Sequence, residues 1–316
     1  MSTAYDDANE EFSEFLRTRR ARISPGEAGV GTAGGPRRVP GLRREEVARL
    51  AGVSVDYYIR LERGRGTNVS DAVLEALARA LRLDDTERAH LFTLAGPAHR
   101  RRRGRDGRSQ ALAVQRVRPG LLRVLDMIEA APALVIGRRY DVLASNALAR
   151  ALYIDFEAQP VRKRNLVRFL FLDDAARKLY ADWPTAARGV VAGLHLYAGR
   201  HPDDPLLRDL VAELSDRDRD FRRWWARHDV QDHGSGEKHY CHPVVGGMVL
   251  GYETLASITD DDQVLGMHTV EPGSPSEAAL RRLAALADRR VDQGPTPPLS
   301  TTTRCTSRNA QQRTTD

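Results

Sequence analysis

The chain has 316 residues, enough for about two domains, with 41% hydrophobic and 29% charged residues. It has no run of ~18 apolar residues that could span a membrane, and the acidic start "MSTAYDDANEEFSEF" lacks the apolar centre of a signal peptide. Two distant cysteines, Cys241 and Cys305, give no disulfide framework, so a cytoplasmic protein is expected by default. The net charge of +6 is uneven: residues 1–110 hold 21 Lys+Arg against 16 Asp+Glu, and the rest 28 against 27. A basic front and a neutral rear point to a polyanion met by the front alone, although an ordinary basic surface would carry the same charge.

Residues 10–22 have helical spacing, with Phe12, Phe15, Leu16 and Arg19 on one face. The Gly/Pro-rich stretch "ISPGEAGVGTAGGPRRVPG" is no phosphate loop, because no Gly-Lys-Ser/Thr ends it. It reads as a connector, with Arg37 and Arg38 free to touch a backbone. Four more helices follow. Residues 43–50 place Val47 and Leu50 inward. Residues 54–63 place Tyr58 and Leu61 inward behind the N-cap Ser54. Residues 70–81 carry Val73, Leu74, Leu77 and Leu81, and residues 85–95 carry Leu91, Phe92 and Leu94.

The run "HRRRRGRDGR" (99–108) reads as a basic linker that either lies on DNA or is simply solvated. "PALVIGRRYDVLASNALARAL" then reads strand, tight turn, strand and helix, with the second strand at Tyr140–Ala144 and the cap at Ser145 or Asn146. Helices dominate from 164 to 229, capped at Asp182 and at Asp203 or Asp204. "KHYCHPVVGGMVLGYETLAS" reads as a hairpin turning at Gly246-Gly247. A third strand covers about Gln263–Val270 and a last helix about 276–289, before a Ser/Thr/Arg tail of disordered composition.

The segment "RREEVARLAGVSVDYYIRLERG" (43–64) carries the chemistry. Ala48 is small where two helices cross, Gly52 suits a left-handed turn, and Val53, Tyr58 and Leu61 plug the joint, as a helix-turn-helix requires. An αα-hairpin that binds protein is the other reading of the same spacing. With its "LERG" ending, the segment resembles the lambda-repressor-like (XRE) family. That resemblance implies base contacts from Val55, Asp56 and Arg60, with Ser54 and Tyr57 on phosphate or groove wall, and Arg44 where relatives often have a glutamine that fixes the backbone. Arg43, Arg63 and Arg65 flank the site as phosphate contacts. Arg60 can pair with guanine, Val55 can meet a thymine methyl, and Asp56 can accept from cytosine. Asp56 equally suits the helix dipole, or could orient Arg60 one turn on.

From about residue 10 to 290 the chain resembles the MmyB-like transcriptional regulators of actinobacteria and relatives. The resemblance rests on "PGLRREEVARLAGVSVDYYIRLERGR", "EALARALRLDDTERAHLFTLAG", "RPGLLRVLD", "VIGRRYDVLASNALARAL", "FRRWWARHDV", "HPVVGGMVLGYETL" and "EPGSPSEAALRRL". It implies a multidomain chain. An all-α, five-helix DNA-binding domain (10–96) and a basic linker (97–110) precede an α+β PAS-like ligand-binding domain (111–290) and a tail (291–316). It further implies a homodimer on a double-stranded, inverted-repeat operator, and a small apolar ligand such as a fatty acid. A DNA-tethered module whose rear domain binds a protein partner is the alternative.

For the pocket, the helical wheel of "DRDFRRWWARHDV" groups Phe221, Trp224, Trp225 and His228, and "NLVRFLFL" brings Phe169. Ordinary core accounts for the same pattern. His233, His239, Cys241 and His242 lack a second ligand pair at finger-like spacing, and no nucleophile elbow, H-E-x-x-H or dinucleotide motif occurs. No metal, cofactor or catalytic role is therefore expected.

Overall fold

The computed structural model describes residues 3–30, 41–65, 69–95, 112–232, 234–257 and 262–293. Arg37, Arg38, the arginine run at 99–108, His233 and the tail from 294 lie outside them. Two compact units emerge, one of residues 1–114 with 189–232, the other of residues 115–188 with 233–316. None of the described helices is long and apolar enough to cross a membrane.

The first unit opens with the five predicted helices: α1 (Thr3–Arg22), α2 (Arg44–Leu50), α3 (Val55–Glu62), α4 (Asp71–Ala80) and α5 (Asp85–Ala95). Their starts follow from local chemistry. The Ser54 and Ser70 hydroxyls accept from the Tyr57 and Val73 amides, and Asp84 and Glu87 exchange bonds to each other's amides as a capping box. Phe12, Phe15, Leu16, Val47, Ala48, Tyr58, Leu61, Leu77 and Leu91 share one buried core. Leu50, expected inward, is 41% exposed. The buried stripe of the two-turn α2 runs through Val47, Ala48 and Ala51, which leaves Leu50 on its rim.

Residues 189–232, which the sequence assigns to the rear domain, group with these helices. They comprise the end of α10 (Trp183–Arg200), then α11 (Pro205–Arg217) and α12 (Arg219–Trp225). Asp204 and Asp218 cap α11 and α12, and Leu196 and Val230 pack on the core of the front helices. Arg19 of α1 is 1% exposed and ion-pairs Glu87 at 3.1 Å and Asp229 at 3.3 Å. It also donates to the carbonyls of Arg227 and His228.

In the second unit, α6 (Pro119–Met127) precedes an antiparallel sheet of order β2-β1-β5-β4-β3. Its strands are β1 (Ala133–Ile136), β2 (Val142–Ser145), β3 (Ser235–His242), β4 (Gly246–Ala256) and β5 (Val264–Thr269). Leu125 of α6 packs with Ala133, Val135, Ala144 and Leu265. Between β2 and β3 lie α7 (Ala147–Leu152), α8 (Leu166–Leu172), α9 (Asp174–Leu179) and the start of α10; α13 (Pro275–Gln293) follows the sheet.

The β1–β2 connection is longer than expected. Arg138–Tyr140 form a 3-10 turn in which Arg139 and Tyr140 take positive φ, so β2 starts at Val142. Arg138 pairs with Asp262 at 2.7 Å, and the Asn165 amide donates to the Arg139 carbonyl at 2.8 Å, which holds the turn. The β3–β4 turn also differs. It is Pro243–Val245, and Gly246-Gly247 begin the return strand, Gly246 at φ +83°. His242 decides this. Its Nδ1 lies 3.3 and 3.4 Å from the amides of Val244 and Val245, and Nε2 is 3.1 Å from the Ala151 carbonyl, so the ring caps the turn.

The chain enters α2 under a tight constraint. A Cβ on Gly41 would lie 2.5 Å from backbone atoms of Arg20 and Ala21, beside the Leu42 amide that donates to Arg20 O at 3.1 Å. Gly41→Ala is expected to destabilise the first unit by roughly 1–3 kcal/mol, seen as faster hydrogen exchange at α1 and α2 amides. Unchanged exchange would show that the chain can yield there.

Candidate functional site

The helix-turn-helix follows from three local choices. Gly52 takes φ +66° in the turn, Val53 N returns to Ala48 O at 2.9 Å, and Ser54 caps α3. Behind this, Tyr58 and Leu61 are fully buried. In front, Ser54, Val55, Asp56 and Arg60 are exposed, as are Arg63 and Arg65 just past the helix. Tyr57 is half-buried, packs on the core and lies 5.7 Å from the Arg60 guanidinium. No ion pair joins Asp56 to Arg60 among the described residues, so Arg60 is steadied by Tyr57 rather than by the acid one turn earlier. Arg43 caps α2 and pairs loosely with Glu45 at 3.6 Å.

Arg44 is placed differently from a simple backbone contact. Its Nε donates to Glu62 at 2.6 Å, and Arg20 Nε of α1 reaches the same carboxylate at 2.5 Å. The Glu62 side chain is 1% exposed. Burial would raise its carboxyl, but the hydrogen bonds from Arg20 and Arg44 outweigh that and hold it below its ordinary range. Glu62 also takes the Ser13 hydroxyl on its backbone carbonyl. It is the acid of "LERG", and the motif itself is the signal that could have named it: a charge at the end of a recognition helix, on its buried side.

The five residues considered for a ligand are divided between the units. Phe221 and Trp224 are buried in the first unit, where Trp225 stacks on His195 at 3.7 Å. His228 is not on their helix: α12 ends at Trp225, and His228 turns away at φ +50° to lie 4.9 Å from the His195 ring. Phe169 sits in the second unit, edge-on to Tyr153 at 6.1 Å and to Phe156 at 5.8 Å. Tyr153 there opens a polar cluster absent from the sequence reading. Its hydroxyl is 2.5 Å from His268 Nε2 and 2.9 Å from the Tyr240 hydroxyl.

Comparison with known families assigns both regions. Residues 117–283 match the MmyB-like transcription regulator ligand binding domain, and residues 11–91 match a helix-turn-helix domain. The chain belongs to the MmyB-like transcription regulators. No curated protein matches it. In this MmyB-like regulator the helix-turn-helix match covers all of α2 to α4, and the ligand-binding match covers the whole sheet. It is a ligand-responsive DNA-binding regulator built from those two domains. His239 and His242 are engaged locally, with Glu237 at 2.9 Å and with the β3–β4 turn.

Removing the charge at the α1–α2–α3 junction, as in Glu62→Gln, leaves two arginines without their shared anion. The first unit is expected to lose roughly 3 kcal/mol in chemical unfolding, and a loss under 0.5 kcal/mol would make the junction incidental. In the second unit, burial and then the Lys238 charge lower His268 to about 4, against the bond from its ring to Gly251 O, which raises it. The folded form therefore resists the proton that the unfolded chain accepts below 6.5. Stability is full above that value and falls as the pH drops toward 4, by about 2 kcal/mol between pH 7 and 5. An imidazole NMR titration reads this directly; a His268 midpoint near 6.5 would contradict it.

Proposed function

We propose that this regulator is a non-enzymatic, XRE-type homodimer of the cytoplasm, associated with the nucleoid. It binds an inverted-repeat operator and responds to a small apolar ligand such as a fatty acid. The observation that carries the DNA half is the exposed start of α3. Val55, Asp56 and Arg60 stand outward over a buried joint, flanked by Arg43, Arg44, Arg63 and Arg65. Arg60 is the residue suited to guanine, Val55 to a thymine methyl and Asp56 to a cytosine amino group. The flanking arginines position the helix through phosphates without selecting sequence. For the ligand, Phe169 is the sequence-derived candidate we retain, because it lines the aromatic cluster beside the second unit's sheet. To regulate, the ligand must favour one arrangement of the dimer over another.

Operator selection with purified full-length protein tests the assignment. Arg60→Ala is expected to weaken selected sites by about 1–3 kcal/mol and to relax preference at one position, while Arg63→Ala weakens all sequences alike and lowers the salt slope by about 1. Asp56→Asn should shift preference at one base pair. Uniform weakening by Arg60→Ala would remove it from base reading. Native mass spectrometry covers the ligand: an apo mass, with no thermal shift across a fatty-acid panel, would overturn the lipid reading.

A further inference from the structure

The sheet of the second unit has two unlike faces. Lys238, Tyr240, Leu250, Tyr252 and His268 project from one, where Tyr240 and Leu250 are buried. The other face is covered over only part of its width. One row of paired residues crosses four strands there, from Ala144 through Val135 and Leu265 to Leu255. The first three are buried in the cluster that Leu125 of α6 completes, whereas Leu255 is 53% exposed. The next row behaves alike: Ala133 is buried in that cluster and Met267 packs on it, but their neighbour Glu253 on β4 is exposed. Strands lie about 4.8 Å apart and a helix is about 10 Å across, so one helix covers roughly half of a five-stranded sheet. The half made by β4 and β3 stays open, with Val249, Glu253 and Leu255 of β4 and Glu237 and His239 of β3 exposed on it.

The helix that covers the closed half has a second apolar side. At 3.6 residues per turn, Leu125 points to the sheet while Val124, Met127 and Gly120 share a stripe turned away from it. Val124 is 46% and Met127 80% exposed, and a Cβ on Gly120 would meet only the end of Arg123, at 3.9 Å. Of the seven large apolar residues exposed on the described part of this unit, five lie on α6 or on the open half-face. Apolar exposure so concentrated marks a contact surface rather than scattered surface residues.

The two patches carry opposite charge. Arg123 borders the α6 stripe, and Arg116 and Arg118 are exposed just before the helix. Asp126 falls on the far flank, beside Leu122. The open half-face carries Glu237, bonded to His239, and Glu253. Arg123 and Glu253 join no ion pair among the described residues. One chain therefore holds, side by side, an apolar helix stripe edged with a cation and an apolar half-sheet edged with anions. A surface complementary to itself is what a two-fold interface requires.

We propose that the open half-face is covered by α6 of a second copy of this chain. The two α6 helices lie between two sheets, and each places Val124 and Met127 on the other copy's Val249 and Leu255, with Arg123 facing Glu253. This deepens the homodimer reading and rests on it: it names the surface through which the second units pair.

The test is sedimentation velocity on the full-length protein across a concentration series. Wild type is expected as a dimer, and Met127→Glu, a change at an exposed site, as a monomer over the same range. Arg123→Glu and Glu253→Arg should each raise the dimer dissociation constant at least about tenfold by setting like charges together, and the double swap should return it to within about threefold of wild type. A misfolded variant gives no such rescue. A dimer that Met127→Glu and Arg123→Glu leave intact overturns this surface and leaves the homodimer reading standing. Loss in both single swaps without rescue overturns the Arg123–Glu253 pairing and with it the arrangement. A wild-type monomer overturns both readings, and its sedimentation with phosphatidylglycerol vesicles would give the patch to a lipid surface instead.

Discussion

The presentation of α3 depends on one buried carboxylate. Glu62 sits at the inner end of α3 and holds Arg20 of α1 and Arg44 of α2, so three helices meet on a single charge. The apolar joint of Val47, Tyr58 and Leu61 supplies the burial that drives association, but burial is non-directional. Two charge-assisted bonds at 2.5 and 2.6 Å are directional, and they fix the rotation of α3 about its axis. That rotation decides whether Val55, Asp56 and Arg60 face outward. The same carboxylate explains why Arg44 is only partly available to a phosphate: its Nε is already committed.

Two buried polar clusters, one in each unit, handle charge differently. In the first, Glu62 is paired with two arginines, and Arg19 with Glu87, Asp229 and two carbonyls. Removing one partner of such a pair strands the other, so the arrangement is rigid. In the second unit the histidine and tyrosines of the sheet face are kept neutral, and their hydrogen bonds close on one another. A neutral polar core tolerates a change of neighbour without stranding a charge. The first arrangement suits a surface that must keep its shape, and the second suits a place where a neighbour is exchanged.

How much of this was legible in the sequence depended on the range of the signal. The cap at Ser54, the glycine turn at Gly52 and the α1 stripe of Phe12, Phe15, Leu16 and Arg19 are set within one or two helical turns, and they stand as read. The partners of Glu62 lie 42 and 18 residues away, and one of Arg19's partners, Asp229, lies 210 away, beyond any local periodicity. The sheet face was lost for a sharper reason. A turn at Gly246-Gly247 would pair Tyr240 with Glu253, whereas the turn at Pro243–Val245 pairs Tyr240 with Met248. That difference is an odd number of residues, and an odd slip sends every side chain of one strand to the other face. Lys238, Tyr252 and His268 share a face only in the observed register, so no local pattern could have grouped them. His228 was misplaced on the wheel of α12 because the helix stops three residues before it.

Arg19 also shows why the sequence boundary between the two domains is not the boundary of packing. The family match for the ligand-binding domain is continuous over 117–283, yet its residues 189–232 belong to the compact unit of the DNA-binding helices. Asp229 and the carbonyls of Arg227 and His228 accept from the terminal nitrogens of a guanidinium buried in α1, and Leu196 and Val230 pack on the same core. A guanidinium that is 1% exposed needs opposite charge close by, which Glu87 and Asp229 supply. The five helices are therefore finished by residues that arrive after the first half of the ligand-binding match has been made. Within the first unit, residues 189–232 of the ligand-binding match thus supply a layer of the core on which the five helices pack.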